Sequence, residues 1–137
     1  MKTILTYGTF DLFHVGHIRL FKRLSQLGDQ LIVGVSTDEF NTLKNKSAYF
    51  CYQERREIVE SCKYVDMVIP ESNWQQKRGD IIRLQADIFA IGDDWLGKFD
   101  DLSDICKVMY LKRTKEISTT DIKKSLAVAS RPQCLSA

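Results

Sequence analysis

The sequence predicts an α/β domain: a five-stranded parallel sheet, doubly wound, with helices on both faces. Three observations lead there. Short β-prone apolar runs alternate along the chain with stretches of helical period. The run LIVGV (31–35) is apolar without alternation, as expected of a strand buried on both faces. The segments richest in chemistry all follow a predicted strand, and right-handed crossovers bring such segments to one sheet edge.

Taken in order, ILTY (4–7) reads as the first strand and ends at Gly8. Leu20, Phe21, Leu24 and Leu27 then recur at helical spacing, and Gly28 reads as the C′ glycine that stops the helix. LIVGV is the second strand, followed by a polar loop, STDEFNTLKNKS. QERREIVESC reads as a helix, VDMVIP (65–70) as the third strand and DIIRL (80–84) as a helix. DIFAI (87–91) is the fourth strand, ending at Gly92, and KVMYL (107–111) the fifth. A last helix is marked by Ser118 as cap with Asp121 at N3, and by Ile117 and Ile122 at the staple positions. The closing SRPQCLSA is polar, so the domain is expected over 1–129 with a tail at 130–137.

Composition narrows the class. At 137 residues one domain is expected, large enough to bury its own core. A net charge of +2 is too small for a general nucleic-acid binder. Cys51, Cys62, Cys106 and Cys134 show no ligand-like spacing, which favours thiols in a reducing compartment. MKTILTYGTFD is too short in its apolar run for a signal peptide, and no segment is long enough to span a membrane. The expectation is a cytosolic domain.

The chemistry concentrates in YGTFDLFHVGHIRLF, which holds both histidines of the chain, His14 and His17. If a helix begins near Gly16, the two can face one ligand at its N-terminus. There, unpaired N–H groups and the helix dipole favour an anion, and Gly16 lets backbone approach it. Imidazole N–H groups beside those donors suit charge growing on a phosphate. The plainer alternative is a pair of capping or surface histidines. Zinc is disfavoured, because no third ligand lies nearby. By themselves Lys44 and Lys46 read as solvated loop charges, Arg55 and Arg56 as a helix face, and Trp74 and Trp95 as packing residues. RGD at 78–80 falls at a predicted helix start and carries no weight.

GTFDLFHVGH resembles the signature of the HxGH nucleotidylyltransferases, and RTKEISTT their second signature, RTxGISTT. With STDEFN, KYVDMVIPE, NWQQK and GDDW between them, the chain is similar to the glycerol-3-phosphate cytidylyltransferase family from Met1 to about Leu126. The resemblance implies a Rossmann-like domain, a cytoplasmic homodimer, CTP and glycerol 3-phosphate as substrates, and CDP-glycerol and pyrophosphate as products. CDP-glycerol would feed teichoic acids or other glycerol-phosphate surface polymers. The resemblance also implies roles. His14, His17 and Arg113 would be catalytic. Thr9, Phe10, Lys46, Asp94, Thr114, Ser118, Thr119 and Thr120 would join them in binding CTP. Lys44, Lys77 and Arg55 would serve the acceptor. Mg²⁺ would arrive with the triphosphate, held mainly by phosphates and water rather than by protein ligands.

Two positions depart from the family pattern. Lys63 stands where arginine usually precedes YVD, keeping the charge without the bidentate fork. Glu116 replaces the glycine before ISTT, where a carboxylate would repel a triphosphate unless turned away. Two other readings share the motifs. One is an HxGH nucleotidylyltransferase for another nucleotide or alcohol phosphate, such as phosphoethanolamine. The other is a catalytically weak nucleotide-binding module.

Overall fold

The computed structural model describes residues 1–112. The elements run β1 (Thr3–Gly8), α1 (Val15–Ser25), β2 (Gln30–Ser36), α2 (Asp38–Leu43), α3 (Tyr52–Glu60), β3 (Met67–Glu71), α4 (Gln76–Leu84), β4 (Ile88–Gly92) and β5 (Lys107–Leu111). Two 3₁₀ turns, Asp93–Trp95 and Asp100–Asp104, lie between β4 and β5. The sheet is parallel throughout, in the order β3-β2-β1-β4-β5. The chain therefore winds outward through β1, β2 and β3, then reverses, and the switch point lies between β1 and β4. In such sheets the crevice at the carboxyl ends beside that reversal takes ligands.

Alternation along the central strands explains the two-faced packing. Ile4, Leu31, Val33 and Val35 point to one face, where Phe21 and Leu24 of α1 and Val59 of α3 cover them. Leu5, Tyr7, Ile32 and Phe89 point to the other, against Ile81 of α4 and Leu102. Successive side chains of a strand point to opposite faces, so a double layer of helices needs apolar residues at nearly every position. LIVGV meets that need, with all five residues buried.

The amino edge of the sheet is fastened by three aspartates, each standing just before a strand. Asp29 gives its N–H to Lys2 O (2.7 Å) and accepts Lys2 N at Oδ2 (2.7 Å). Asp87 does the same with Thr3 (2.8 and 2.7 Å), and Asp66 with Leu31 (2.9 and 2.7 Å). Each clasp ties a strand entrance to the neighbouring strand by a backbone bond and a charge-assisted one.

Three expectations are corrected. The polar loop after β2 contains α2, a short helix whose cap Thr37 accepts Phe40 N (3.1 Å) and whose first turn carries Asp38 and Glu39. Gly28 is not a left-handed cap. α1 ends at Ser25 with Gln26 as its C-cap, and a Cβ at Gly28 would meet Lys2 O at 2.7 Å and Ile4 Cδ1 at 2.8 Å, so glycine is required there by close packing. α4 begins at Gln76, which puts residues 78–80 inside the helix and not at its start. Among the described cysteines, Cys62 and Cys106 are free thiols. The expected last helix, with Ser118, Asp121, Ile117 and Ile122, and the tail lie outside the described residues. Among the described residues no helix is long and apolar enough to cross a membrane.

Candidate active site

The turn after β1 builds the histidine site. Phe10 (φ 52°) and Leu12 (φ 47°) adopt left-handed backbone, which costs about 1–2 kcal/mol per residue outside glycine and must be held by surrounding structure. Part of the holding is Phe10 itself. Its ring folds back over Gly8, where a Cβ would stand 2.7 Å from the ring, and packs edge-on against Phe21 and His17. Phe10 is therefore core and a support for His17, whereas Thr9 faces the pocket described below.

His14 is the N-cap of α1 and His17 its third residue. His14 Nδ1 accepts Gly16 N (3.0 Å), and His17 Nδ1 accepts His14 N (3.2 Å). The rings stack with centroids 3.9 Å apart, and Phe13 stacks on His17 from 5.3 Å. Two of the helix's unpaired N–H groups are satisfied this way. The tautomer follows: with Nδ1 accepting, each neutral imidazole carries its proton on Nε2, as a donor. Burial lowers the pKa of His14. Burial, then the neighbouring His14, lowers that of His17 to about 4, against an opposing pull from Asp11. Both rings are thus neutral donors near pH 7. The plainer sequence reading, capping histidines, is met at Nδ1 of both rings, while Nε2 carries the donor that the phosphate reading requires.

Beside this turn is a pocket at the carboxyl ends of β1, β3 and β4. Tyr7, Gly8 and Thr9 form one wall, Lys44 and Lys46 another, Glu71 and Lys77 the floor, and Trp74, Trp95 and Phe99 the aromatic side. A buried relay organises the floor. Ser36 and Glu71 are partners across β2 and β3, and Ser36 Oγ donates to Glu71 Oε1 (2.7 Å). Lys44 Nζ donates to Ser36 Oγ (2.6 Å), and Lys77 Nζ to Glu71 Oε2 (2.7 Å). Lys77 Nζ stands over the rings of Tyr7 (4.7 Å), Trp74 and Phe99 (both 5.6 Å), and Lys44 Nζ over Phe40 (4.7 Å). Burial pushes the Lys44 pKa down to about 8, with Glu71 countering it. Tyr7 is fixed by its OH donating to Asp80 Oδ2 (2.6 Å).

Two buried charged residues hold the loops in place. Asp11, 3% exposed, accepts Tyr49 N (2.6 Å) and Phe50 N (2.9 Å), tying the loop after Lys46 to the histidine turn. Arg55, fully buried, donates to Phe50 O, Thr9 O and Ser36 O and pairs with Asp38 at 2.8 Å. The resemblance places Arg55 on the acceptor. The structure places it beneath the site as a strut, because its donors are engaged by the Phe50, Thr9 and Ser36 carbonyls and by Asp38, and it does not line the pocket.

Of the remaining expected residues, Lys44, Lys46 and Lys77 converge on the pocket, and Asp94 lies exposed in the turn after β4 beside Trp95. Trp74 and Trp95, read as packing residues, line it with rings 5.8 Å apart. Lys63 is exposed over Tyr64 and is not among the lining residues. Arg113, Thr114, Ser118, Thr119, Thr120 and Glu116 lie outside the described residues. Sequence reasoning missed Ser36, Glu71, Tyr7 and Asp11; a glutamate ending an apolar strand was the one available signal.

Residues 5–125 match the cytidylyltransferase-like family model. Glycerol-3-phosphate cytidylyltransferase of Bacillus subtilis is 58% identical over 127 residues, covering 93% of this chain and 98% of that protein. Its counterpart in Staphylococcus aureus is 53% identical over 126 residues, covering 92% and 96%. Among solved structures, a lipopolysaccharide core biosynthesis protein from Thermoplasma volcanium superposes with a TM-score of 0.69 at 25% identity, over 85% of this chain and 99% of that one. The two histidines capping one another beside a lysine-lined pocket thus belong to a member of the cytidylyltransferase-like family, within its glycerol-3-phosphate cytidylyltransferases.

Proposed function

We propose that the chain transfers the cytidylyl group of CTP to glycerol 3-phosphate, forming CDP-glycerol and releasing pyrophosphate. The observation that carries the reading is the juxtaposition of two anion-favouring sites at one sheet edge: a neutral histidine pair at the start of α1, and a pocket whose floor holds Lys44 and Lys77. The near full-length identity to the two bacterial enzymes supports the choice of substrates.

In this reading a phosphate oxygen of the acceptor attacks the α-phosphorus in line. One P–O bond forms as the bond to pyrophosphate breaks, and no covalent intermediate on the protein is required. Catalysis is then positioning and charge stabilisation. The Nε2–H donors of His14 and His17 meet charge growing on the α-phosphate. Lys46, exposed at the pocket rim, serves the nucleotide, and Lys44 and Lys77 serve the acceptor phosphate. Thr9 and Asp94 are assigned to the nucleotide, and Arg113, Thr114, Ser118, Thr119 and Thr120 to its β- and γ-phosphates. Mg²⁺ belongs to the same proposal. Around the pocket the donor set is cationic apart from Glu71, which Lys77 and Ser36 already engage. That chemistry suits an ion carried by the nucleotide, which would offset phosphate charge. Homodimerisation, a cytoplasmic setting and supply of glycerol-phosphate surface polymers complete the proposal.

Pyrophosphate release measured with each of the four nucleoside triphosphates and several alcohol phosphates tests it. Release from CTP that depends on glycerol 3-phosphate is expected. A better rate with ATP, or with phosphoethanolamine, would replace the substrate assignment. Sedimentation of the purified chain tests the dimer.

A further inference from the structure

The buried relay under the pocket has a member with no assigned task. We propose that Glu71 is a positioning residue of the acceptor site, holding the ammonium groups of Lys44 and Lys77 in place and charged beneath the acceptor phosphate. The proposal rests on the acceptor role of the two lysines given above.

Lys44 and Lys77 bring two like charges among the rings of Tyr7, Phe40, Trp74 and Phe99, where water cannot screen them well. Lys46 and Arg55 add to the repulsion felt at Lys44, and Glu71 is the carboxylate that opposes it. The geometry divides Glu71 evenly. Oε2 takes Lys77 directly at 2.7 Å, and Oε1 takes Ser36, which relays to Lys44 at 2.6 Å, with Lys44 itself 3.8 Å from Oε1. An ammonium has three donors, and in each lysine one is committed to this relay. The others remain for a phosphate, since aromatic faces attract a cation without accepting a strong hydrogen bond. Stability alone is a weak reason for such an arrangement, because a buried ion pair can often be replaced by apolar residues without loss. Glu71 is 4% exposed, and both of its carboxylate oxygens are engaged within the relay, Oε1 by Ser36 and Oε2 by Lys77.

The test uses the full chain with Glu71→Gln, which keeps the shape and the hydrogen-bonding oxygen but removes the charge. The KM for glycerol 3-phosphate is expected to rise about tenfold near pH 8, the scale of losing a charge-assisted bond, with the KM for CTP within about twofold. The excess should grow as pH is raised through the neutral range, because Lys44 loses the group that favours its charged form. Glu71→Asp should restore much of the wild-type pH profile. Independently of turnover, the ¹³Cε resonance of Lys44 should titrate at lower pH in Glu71→Gln than in the wild type. Equal rises in both KM values, or an acceptor KM whose rise does not change with pH, would overturn the proposal. If the wild type does not use glycerol 3-phosphate, the functional reading falls, and the lysine titration alone decides the role of Glu71. Should Glu71→Gln not fold, Ser36→Ala cuts only the Lys44 limb. It is expected to raise the acceptor KM selectively, and an unchanged value would overturn the idea.

Discussion

The imidazoles of His14 and His17 lie face to face, 3.9 Å between centroids, and each Nδ1 accepts a backbone N–H at the start of α1. Capping thus occupies Nδ1 of each ring, and the proposed reaction assigns the second job, donation to phosphate, to Nε2. His14→Asn separates them, since asparagine is a good N-cap but does not supply the same imidazole donor. Its melting temperature should stay near the wild-type value while kcat falls about 10²–10³-fold, the usual effect of losing one preorganised donor. His14→Ala should lose the same turnover and about 1 kcal/mol of stability as well. A His14→Asn enzyme with near-normal kcat would show that the ring is only a cap.

Stability should depend on pH through the same pair. Both histidines are held below their ordinary pKa, His17 at about 4. An unfolded histidine takes up its proton near 6.5, so between these values the unfolded chain binds more protons than the folded one. The contribution is therefore fully present above about 6.5 and declines as pH falls toward 4. Urea midpoints at pH 7.5 and 5 check the sign. His17→Gln should flatten the decline, and an identical decline in both proteins would assign it to other groups.

Lys46 and Lys77 should respond differently to truncation. Lys46 is exposed, so Lys46→Ala should leave stability within about 0.5 kcal/mol and raise the KM for CTP more than that for the acceptor. Lys77 is 3% exposed and paired with Glu71, so Lys77→Ala strands a buried carboxylate. Breaking such a pair costs about 3–5 kcal/mol. The acceptor KM should rise in the protein that remains folded. Equal kinetic effects on both substrates would contradict the assignment.

Gly34 offers a test that neither adds nor removes a charge. A Cβ there would lie 2.2 Å from the Tyr7 ring, which cannot swing aside without breaking its bond to Asp80. Overpacking of this kind costs about 1–3 kcal/mol. Because the same ring lies 4.7 Å from Lys77 Nζ, Gly34→Ala should also weaken acceptor use. Denaturant melts and acceptor KM measured together check both halves; a stable variant with normal KM would mean that the strand yields instead.

The sheet was legible because continuous apolar runs and helical repeats are local signals, and each of β1 to β5 sits where its run stands. α2 was not legible, since six residues carrying Phe40 and Leu43 are too few to display a period. The histidine turn announced itself by composition, but its reciprocal capping depends on ring orientation, which no spacing encodes. Glu71 ends an otherwise apolar strand, and its partners Lys77, Ser36 and Lys44 come from α4, β2 and the loop after α2. Arg55 shows the converse. A family arginine on a helix reads as substrate-facing, yet the fold uses its donors for carbonyls that only tertiary structure gathers.

The aspartate clasps at the amino edge have a consequence for how such a domain can change. A one-residue slip of a strand would turn its entire set of side chains to the opposite face, so alignment has to be fixed somewhere. Asp29, Asp66 and Asp87 fix it at the end of the sheet opposite Gly8, Ser36, Glu71 and Gly92. The loops at the reacting end are thereby relieved of that duty. They can lengthen, shorten or exchange residues to suit a different alcohol phosphate while the strands keep their alignment, so new substrate preferences can be explored from one end of the molecule without refolding the other.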